Sequence, residues 1–246
     1  MIKEGCLEGV DEVYGYHNIP NFPEGDIRVV EGAMMASATT VKIKVLGKGG
    51  HGSMPHMIKD VISAGAAIFT NLHTVKSRCI DSRDNFTFTM THFTSGTTHN
   101  VFPDEAFMQG SIRSYSRPVL ELIKTKIHQI ATSTAEAFDC KAEVDIVDLY
   151  PPTVNHKEQT QHVIRVANKY VGGEHVKSDD LPVAGSEDFS YYLENRPGCF
   201  FMLGTRVAGN DYFCHTSRYD YNDSMIPTGA LMFVGIVEDR LAAKII

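Results

Sequence analysis

Between residues 38 and 150 the apolar spacing switches repeatedly between the strand period of two and the helix period of about 3.6 residues, which restricts the fold more than any other feature. Thr40-Val41-Lys42-Ile43-Lys44-Val45 alternates strictly, so Val41, Ile43 and Val45 face a core while the lysines face water. A helix follows from about Asp60 to Val75, with Val61, Ala64, Ile68, Leu72 and Val75 at helical spacing. Gly65 inside it costs about 1 kcal/mol against alanine. Asn85–Thr94 and Glu105–Tyr115 read as two strands. Ser116 and Pro118 open a second helix whose apolar face is Val119, Ile123, Ile127, Ile130, Thr134 and Phe138. Lys141–Tyr150 alternates again. Strand, helix, strand, strand, helix, strand is the ferredoxin-like or split βαβ order, an α+β sheet with helices on one face.

The flanks follow another pattern. Glu12–Tyr16 reads as a short strand that delivers His17 to its end, and Ile27–Val30 as a second. Beyond Pro151-Pro152 comes a helix over Glu158–Val171, with Val163, Val166, Ala167 and Tyr170 on one face. Gly185-Ser186-Glu187-Asp188-Phe189 is expected to open a further helix, capped by Ser186. Cys199–Leu203 is continuously apolar, as in a strand covered on both faces. A polar loop carries Cys214 and His215, and a last helix starts near Pro227. The expected fold is α/β: a domain of residues 1–36 and 151–246, interrupted by an inserted domain of residues 37–150. Met1–Leu7 reads as the last turn of a helix stopped by Gly5, so earlier turns are expected ahead of Met1.

A formal charge of −7 argues against nucleic acid or an anionic membrane surface as partner, since both are bound through clustered Lys and Arg. No apolar run approaches the roughly 20 residues of a membrane span. Five scattered cysteines without CxxC spacing fit a reducing compartment better than a disulfide framework. The cytoplasm is the expected location, with a targeting segment ahead of Met1 left open.

The inserted unit carries Gly47-Lys48-Gly49-Gly50-His51-Gly52-Ser53-Met54-Pro55-His56, whose glycines allow tight turns and close backbone approach. A phosphate loop is excluded, because GxxxxGK[ST] needs a glycine before the lysine at a spacing that is absent. His17 and His215 both close strand-to-loop segments of the outer domain, where ligands of an open α/β sheet gather. Two imidazoles there suit zinc or a similar divalent ion, but a catalytic zinc takes about three protein ligands. Cys214 is a poor third, because chain neighbours point to opposite sides. Glu187 falls in the first turn of its expected helix, where the dipole favours a carboxylate.

Together these stretches resemble the dinuclear zinc aminoacylase and carboxypeptidase family, in its amidohydrolase branch of hippurate, N-acetyl amino acid and auxin-conjugate hydrolases. The matching motifs are Glu4–Asp11, Gly15–Pro20, Gly47–His56, Asn100–Pro103, Gly110–Arg113, Gly185–Phe189, and His215-Thr216 with Tyr219–Asp223, in family order along nearly the whole chain. The resemblance implies a metallopeptidase (phosphorylase/hydrolase-like) α/β domain with a ferredoxin-like lid and dimerisation domain, acting as a homodimer on N-acyl amino acids. It implies two divalent metals, Zn or Mn, Co or Ni, with His17 and His215 as ligands. It further implies that His51 stabilises the oxyanion in a partner subunit's site, with Asn100 and Arg113 as its companions in catalysis and substrate binding. A guanidinium at Arg113 suits the substrate carboxylate. Glu187 stands as a possible neighbour of the metal ligands.

The family also carries a preceding segment of roughly 150 residues, the size of a small domain. It supplies a Cys-x-His pair and a Glu-Glu pair, and neither occurs in this sequence. The chain alone is therefore expected to hold metal weakly at most, to hydrolyse negligibly, and to expose apolar strand and helix faces. Two other functions compete with the hydrolase: a non-catalytic dimerisation module acting through residues 37–150, and a metal-free small-ligand sensor of ferredoxin-like fold.

Overall fold

A short 3-10 turn over Ile2–Glu4 ends on Gly5, whose φ of 85° and N–H bond back to the Ile2 carbonyl form a left-handed helix stop. The structure, a computed structural model, describes residues 1–209 and 212–242. It divides into two compact units, Met1–Met35 with Thr153–Ile246, and Ala36–Pro152. The first unit begins with β1 (Val13–Ile19), β2 (Ile27–Arg28) and β3 (Gly32–Met35).

The second unit contains β4 (Ala38–Leu46), β5 (Gly50–His51), α1 (Val61–Leu72), β6 (Phe86–Ser95), β7 (Val101–Phe102), β8 (Glu105–Ser114), α2 (Arg117–Glu136) and β9 (Lys141–Tyr150). Its main sheet has the order β6-β8-β4-β9, every neighbour antiparallel. The third long strand thus lies between the first two, the split βαβ arrangement. Val41, Ile43 and Val45 are wholly buried against Ile68 and Leu72 of α1 and Ile123 and Ile127 of α2. Asp60 caps α1 by accepting from the Ile62 and Ser63 N–H groups, a contact worth about 1 kcal/mol.

The apolar face of α2 departs from the sequence expectation. From Ile127 it continues through Ala131 and Ala135, both buried, while Phe138 lies beyond the helix and is exposed. Steps of four from Ile127 keep to the inner face, and the small alanines occupy it beside α1. Thr134 sits on the flank, where its Oγ1 accepts from Asn71 of α1. Ser116 holds the N-cap position of α2 without a side-chain cap bond.

The first unit resumes with β10 (Thr153–Asn155), α3 (Lys157–Tyr170), β11 (Val176–Lys177), α4 (Ser190–Leu193), β12 (Gly198–Gly204) and α5 (Ile226–Leu241). Its sheet runs β1-β12-β2-β11, with β1 parallel to β12. Every residue of β12 is buried, as its unbroken apolar run demands. On one face Val163, Val166 and Ala167 of α3 and Met232 and Ile236 of α5 pack on Phe201 and Leu203.

The β3–β10 ribbon went unread because strands of three and four residues show no period. Buried Asn155 ties it to the sheet: its amide accepts from Phe200 N–H and donates to the Phe200 and Val30 carbonyls. The helix expected from Ser186 begins only at Ser190 and has four residues. Among the described residues no helix is long and apolar enough to cross a membrane.

Candidate functional site

Pairing of Asn18 with Leu203 and Ile19 with Gly204 carries β1 two residues past His17. The histidine therefore sits inside the strand rather than on the following loop, still near the carboxyl end of a parallel pair. Its Nδ1 lies 2.6 Å from the Asn18 carbonyl oxygen. A carbonyl only accepts, so Nδ1 carries the proton and Nε2 of the neutral ring keeps its lone pair. A backbone carbonyl holding one imidazole nitrogen while the other is left to bind is the usual setting of a metal-ligating histidine.

Asn18 points to the other side of the strand from His17 and meets the loop that carries His215. Its amide nitrogen lies 3.9 Å from Cys214 Sγ and donates to the Tyr219 hydroxyl. The buried Cys214 thiol in turn donates to the Asn18 carbonyl over 3.7 Å. Cys214 thus meets Asn18 through both its thiol and its sulfur lone pair. His215 is exposed and holds φ 66°, a left-handed backbone uncommon outside glycine. His17 and His215 flank the contacts between their neighbours Asn18 and Cys214.

Glu187 belongs to the same neighbourhood. Burial, then a hydrogen bond with Asp188, pushes its carboxyl up, and the His17 imidazole pulls it the other way. Its own carbonyl accepts the Ser190 N–H and hydroxyl. Because the helix starts beyond Glu187 and has a single turn, a dipole does not account for this carboxylate. The loop leading to it is held from behind by buried Arg28, which donates to the Asp179 carbonyl and to the Asp179 and Asp180 carboxylates.

Two imidazoles with a carboxyl close to one of them fit part of a divalent metal site. Among the described residues no group of three or more His, Cys, Asp or Glu side chains is placed to hold an ion. The donors present fall short of the complete set a catalytic zinc takes.

In the second unit the glycine-rich run is explained by contact. A Cβ on Gly49 would lie 2.4 Å from the Phe102 carbonyl oxygen, and one on Gly47 would lie 2.4 Å from that of Lys59. This close approach lets β5 pair with β7, His51 opposite Val101, while Gly52 N–H donates to the Asn100 carbonyl at 2.8 Å. His51 and Asn100 are brought together, both exposed. The Ser53 backbone N–H donates to His51 Nδ1 at 3.2 Å, and the Ser53 hydroxyl lies 2.8 Å from it. Nδ1 accepts, so the neutral ring carries its proton on Nε2, free to donate outward.

Arg113 is elsewhere. It lies half-buried, opposite Thr87, near the far end of β8 from Asp104, whose carboxylate accepts the Gly49 N–H. The eight residue-to-residue steps from Glu105 to Arg113 span about 27 Å, at roughly 3.4 Å each. One small ligand does not touch Arg113 and His51 of the same unit.

Sequence reasoning missed Asn18 and Ser53. A second polar side chain directly after His17 inside β1 was the signal for the first. For the second it was a serine two residues beyond a histidine, where hydroxyl and N–H both reach back to the ring.

The model of the family described as Peptidase family M20/M25/M40 matches residues 1–239. Thermostable carboxypeptidase 2 of Saccharolobus solfataricus is 36% identical over 234 residues, 94% of this chain and 58% of that protein. Hippurate hydrolase of Campylobacter jejuni is 30% identical over 232 residues, 94% of this chain and 60% of its own length. A solved Bacillus subtilis structure described as a dinuclear metal binding peptidase from M20 family has a TM-score of 0.81 at 24% identity, over 99% of this chain and 61% of that one. At that identity the likeness is one of fold. The chain spans about three-fifths of the length of these proteins. With nearly all of its length matched, the chain belongs to peptidase family M20/M25/M40.

Proposed function

We propose that this chain supplies two metal donors and the lid of a metal-dependent amidohydrolase that cleaves N-acyl amino acids. The observation that carries this is the Asn18–Cys214 contact, which brings the segments bearing His17 and His215 to one strand end, with the Nε2 lone pair of His17 left to bind. His17 and His215 would hold the divalent ions, with the Glu187 carboxyl beside His17. The chemistry such an ion would supply there is Lewis-acid polarisation of the scissile amide carbonyl. Hippurate, the substrate in the name of one relative, is itself an N-acyl amino acid.

The second unit serves as the ferredoxin-like lid. His51 donates its Nε2–H to the oxygen that gains charge as the amide carbon becomes tetrahedral, and Asn100 lies beside it to add a second donor. Arg113 takes the substrate carboxylate in a two-pronged bond. The length of β8 between the end beside the glycine-rich run and Arg113, about 27 Å, supports a homodimer in which His51 and Asn100 of one copy act opposite Arg113 of the other. The proton-accepting base and the remaining ligands belong to the part of the relatives' length that this chain does not span, so the chain alone hydrolyses negligibly.

The test is a panel of N-acyl amino acids, hippurate and N-acetyl derivatives among them. They are offered to this chain joined to the segment that completes the relatives' length, with zinc, manganese or cobalt. Cleavage of at least one, lost in His17→Ala and His215→Ala, is expected. A panel left intact under every metal would overturn the proposal.

A further inference from the structure

We infer that Asn18 is a positioning residue that registers the two proposed metal-donor segments against each other. The inference rests on His17 and His215 as donors and adds a residue with no ligand role of its own. Asn18 serves both segments through different groups. Its carbonyl accepts the His17 Nδ1–H at 2.6 Å and the Cys214 thiol at 3.7 Å. Its side-chain amide reaches Cys214 Sγ at 3.9 Å and donates to the Tyr219 hydroxyl. Pairing with Leu203 fixes its backbone in the sheet, so these groups have a rigid base.

The other partner needs such a clamp. His215 holds φ 66°, a conformation that persists only where surrounding contacts impose it. Contacts on both sides of His215 do so: Cys214 and Tyr219 bind Asn18, and within the loop Thr216 Oγ1 donates to the Phe213 carbonyl at 3.0 Å and Tyr219 N–H donates to the Thr216 carbonyl at 3.2 Å. Burial and the neighbouring Cys214 push the Tyr219 hydroxyl up, so it stays protonated. Without the Asn18 amide, Cys214 and Tyr219 lose their shared anchor and His215 its fixed place relative to His17.

The consequence is readable without catalysis. In the metal-free chain, alkylation of each cysteine is followed by mass spectrometry in wild type, Asn18→Ala and Tyr219→Phe. Both variants are expected to expose Cys214 and speed its reaction about five- to tenfold, the loss of roughly one hydrogen bond, while Cys199 inside β12 stays unreactive. If Asn18→Ala makes Cys199 reactive as well, that variant has lost its fold and Tyr219→Phe decides. Unchanged Cys214 reactivity in the folded variants overturns the inference.

A cobalt titration supplies the second readout. Asn18→Ala is expected to weaken cobalt binding about tenfold or more and to shift its visible spectrum, as loss of an orienting contact does. Weaker binding with an unchanged spectrum would reduce Asn18 to a stability role and contradict the inference. Wild-type protein that takes up no cobalt would instead refute the donor assignment, leaving the thiol result to judge the clamp.

Discussion

The backbone N–H of Ser53 points at Nδ1 of His51 from 3.2 Å, and that fixes which nitrogen of an exposed ring carries the proton. The Nε2–H tautomer is expected to dominate in the neutral ring, read from its nitrogen shifts by NMR above pH 8. In the completed enzyme His51→Ala should lower kcat about a hundredfold with KM little changed, the pattern of an interaction made only in the transition state. A dominant Nδ1–H tautomer, or a loss confined to KM, would contradict the role.

Gly49 has no room for a side chain. Gly49→Ala would place its Cβ 2.4 Å from the Phe102 carbonyl oxygen and 3.1 Å from the Pro103 carbonyl carbon. Both are backbone, so strand β5 must give way, at a cost of about 1–3 kcal/mol. Gly50→Ala meets only the Ile58 Cγ2 methyl, at 2.8 Å, and should cost less. Urea unfolding of the two variants gives the comparison, and equal midpoints would show that close approach is not why the run is glycine-rich.

These glycines show what a sequence can disclose. The run was visible as composition alone, and the strict alternation at Val41, Ile43 and Val45 and the apolar run of β12 were visible because both map onto burial. Asn18, Asn155 and Arg28 were not, because their partners lie up to 201 residues away in sequence and no local period points to them. The end of α2 shifted for a related reason. Neither Ile130 nor Ala131 is excluded by spacing alone, and the choice falls to what α1 presents across the gap.

Glu12 anchors the start of β1 to the last helix. Arg240 donates to both of its carboxylate oxygens at 2.7 Å, Gln159 at 2.8 Å and Tyr14 at 2.9 Å. The Arg240 hydrogen bonds lead in lowering the Glu12 carboxyl from 4.5 to about 2. A depressed folded-state value stabilises fully above the unfolded value and less as pH falls. Stability should therefore decline between about pH 5 and pH 2, measured as the urea midpoint, and Glu12→Gln should flatten that decline while costing about 2 kcal/mol at pH 7. Parallel pH curves for the two proteins would contradict this.

The outer side of α5 carries Ile226, Phe233, Val237 and Leu241, exposed by 54%, 38%, 40% and 71% at helical spacing. Phe233 packs on Tyr16 of β1 with ring centroids 5.4 Å apart, so this stripe adjoins a sheet edge. Among the described residues β1 pairs with β12 alone. An apolar stripe beside an open edge invites association. Sedimentation velocity should show concentration-dependent self-association that Val237→Lys reduces without lowering the melting temperature. A wild-type chain that remains monomeric at all concentrations would contradict it.

The most direct test of the account is a cobalt titration of the metal-free chain, followed through the histidine side-chain resonances. His17 and His215 are expected to broaden first and with one shared apparent Kd, and His17→Ala should abolish the response of His215. Broadening of His215 that persists unchanged without His17, or two separate affinities, would show that the rings do not serve a common centre.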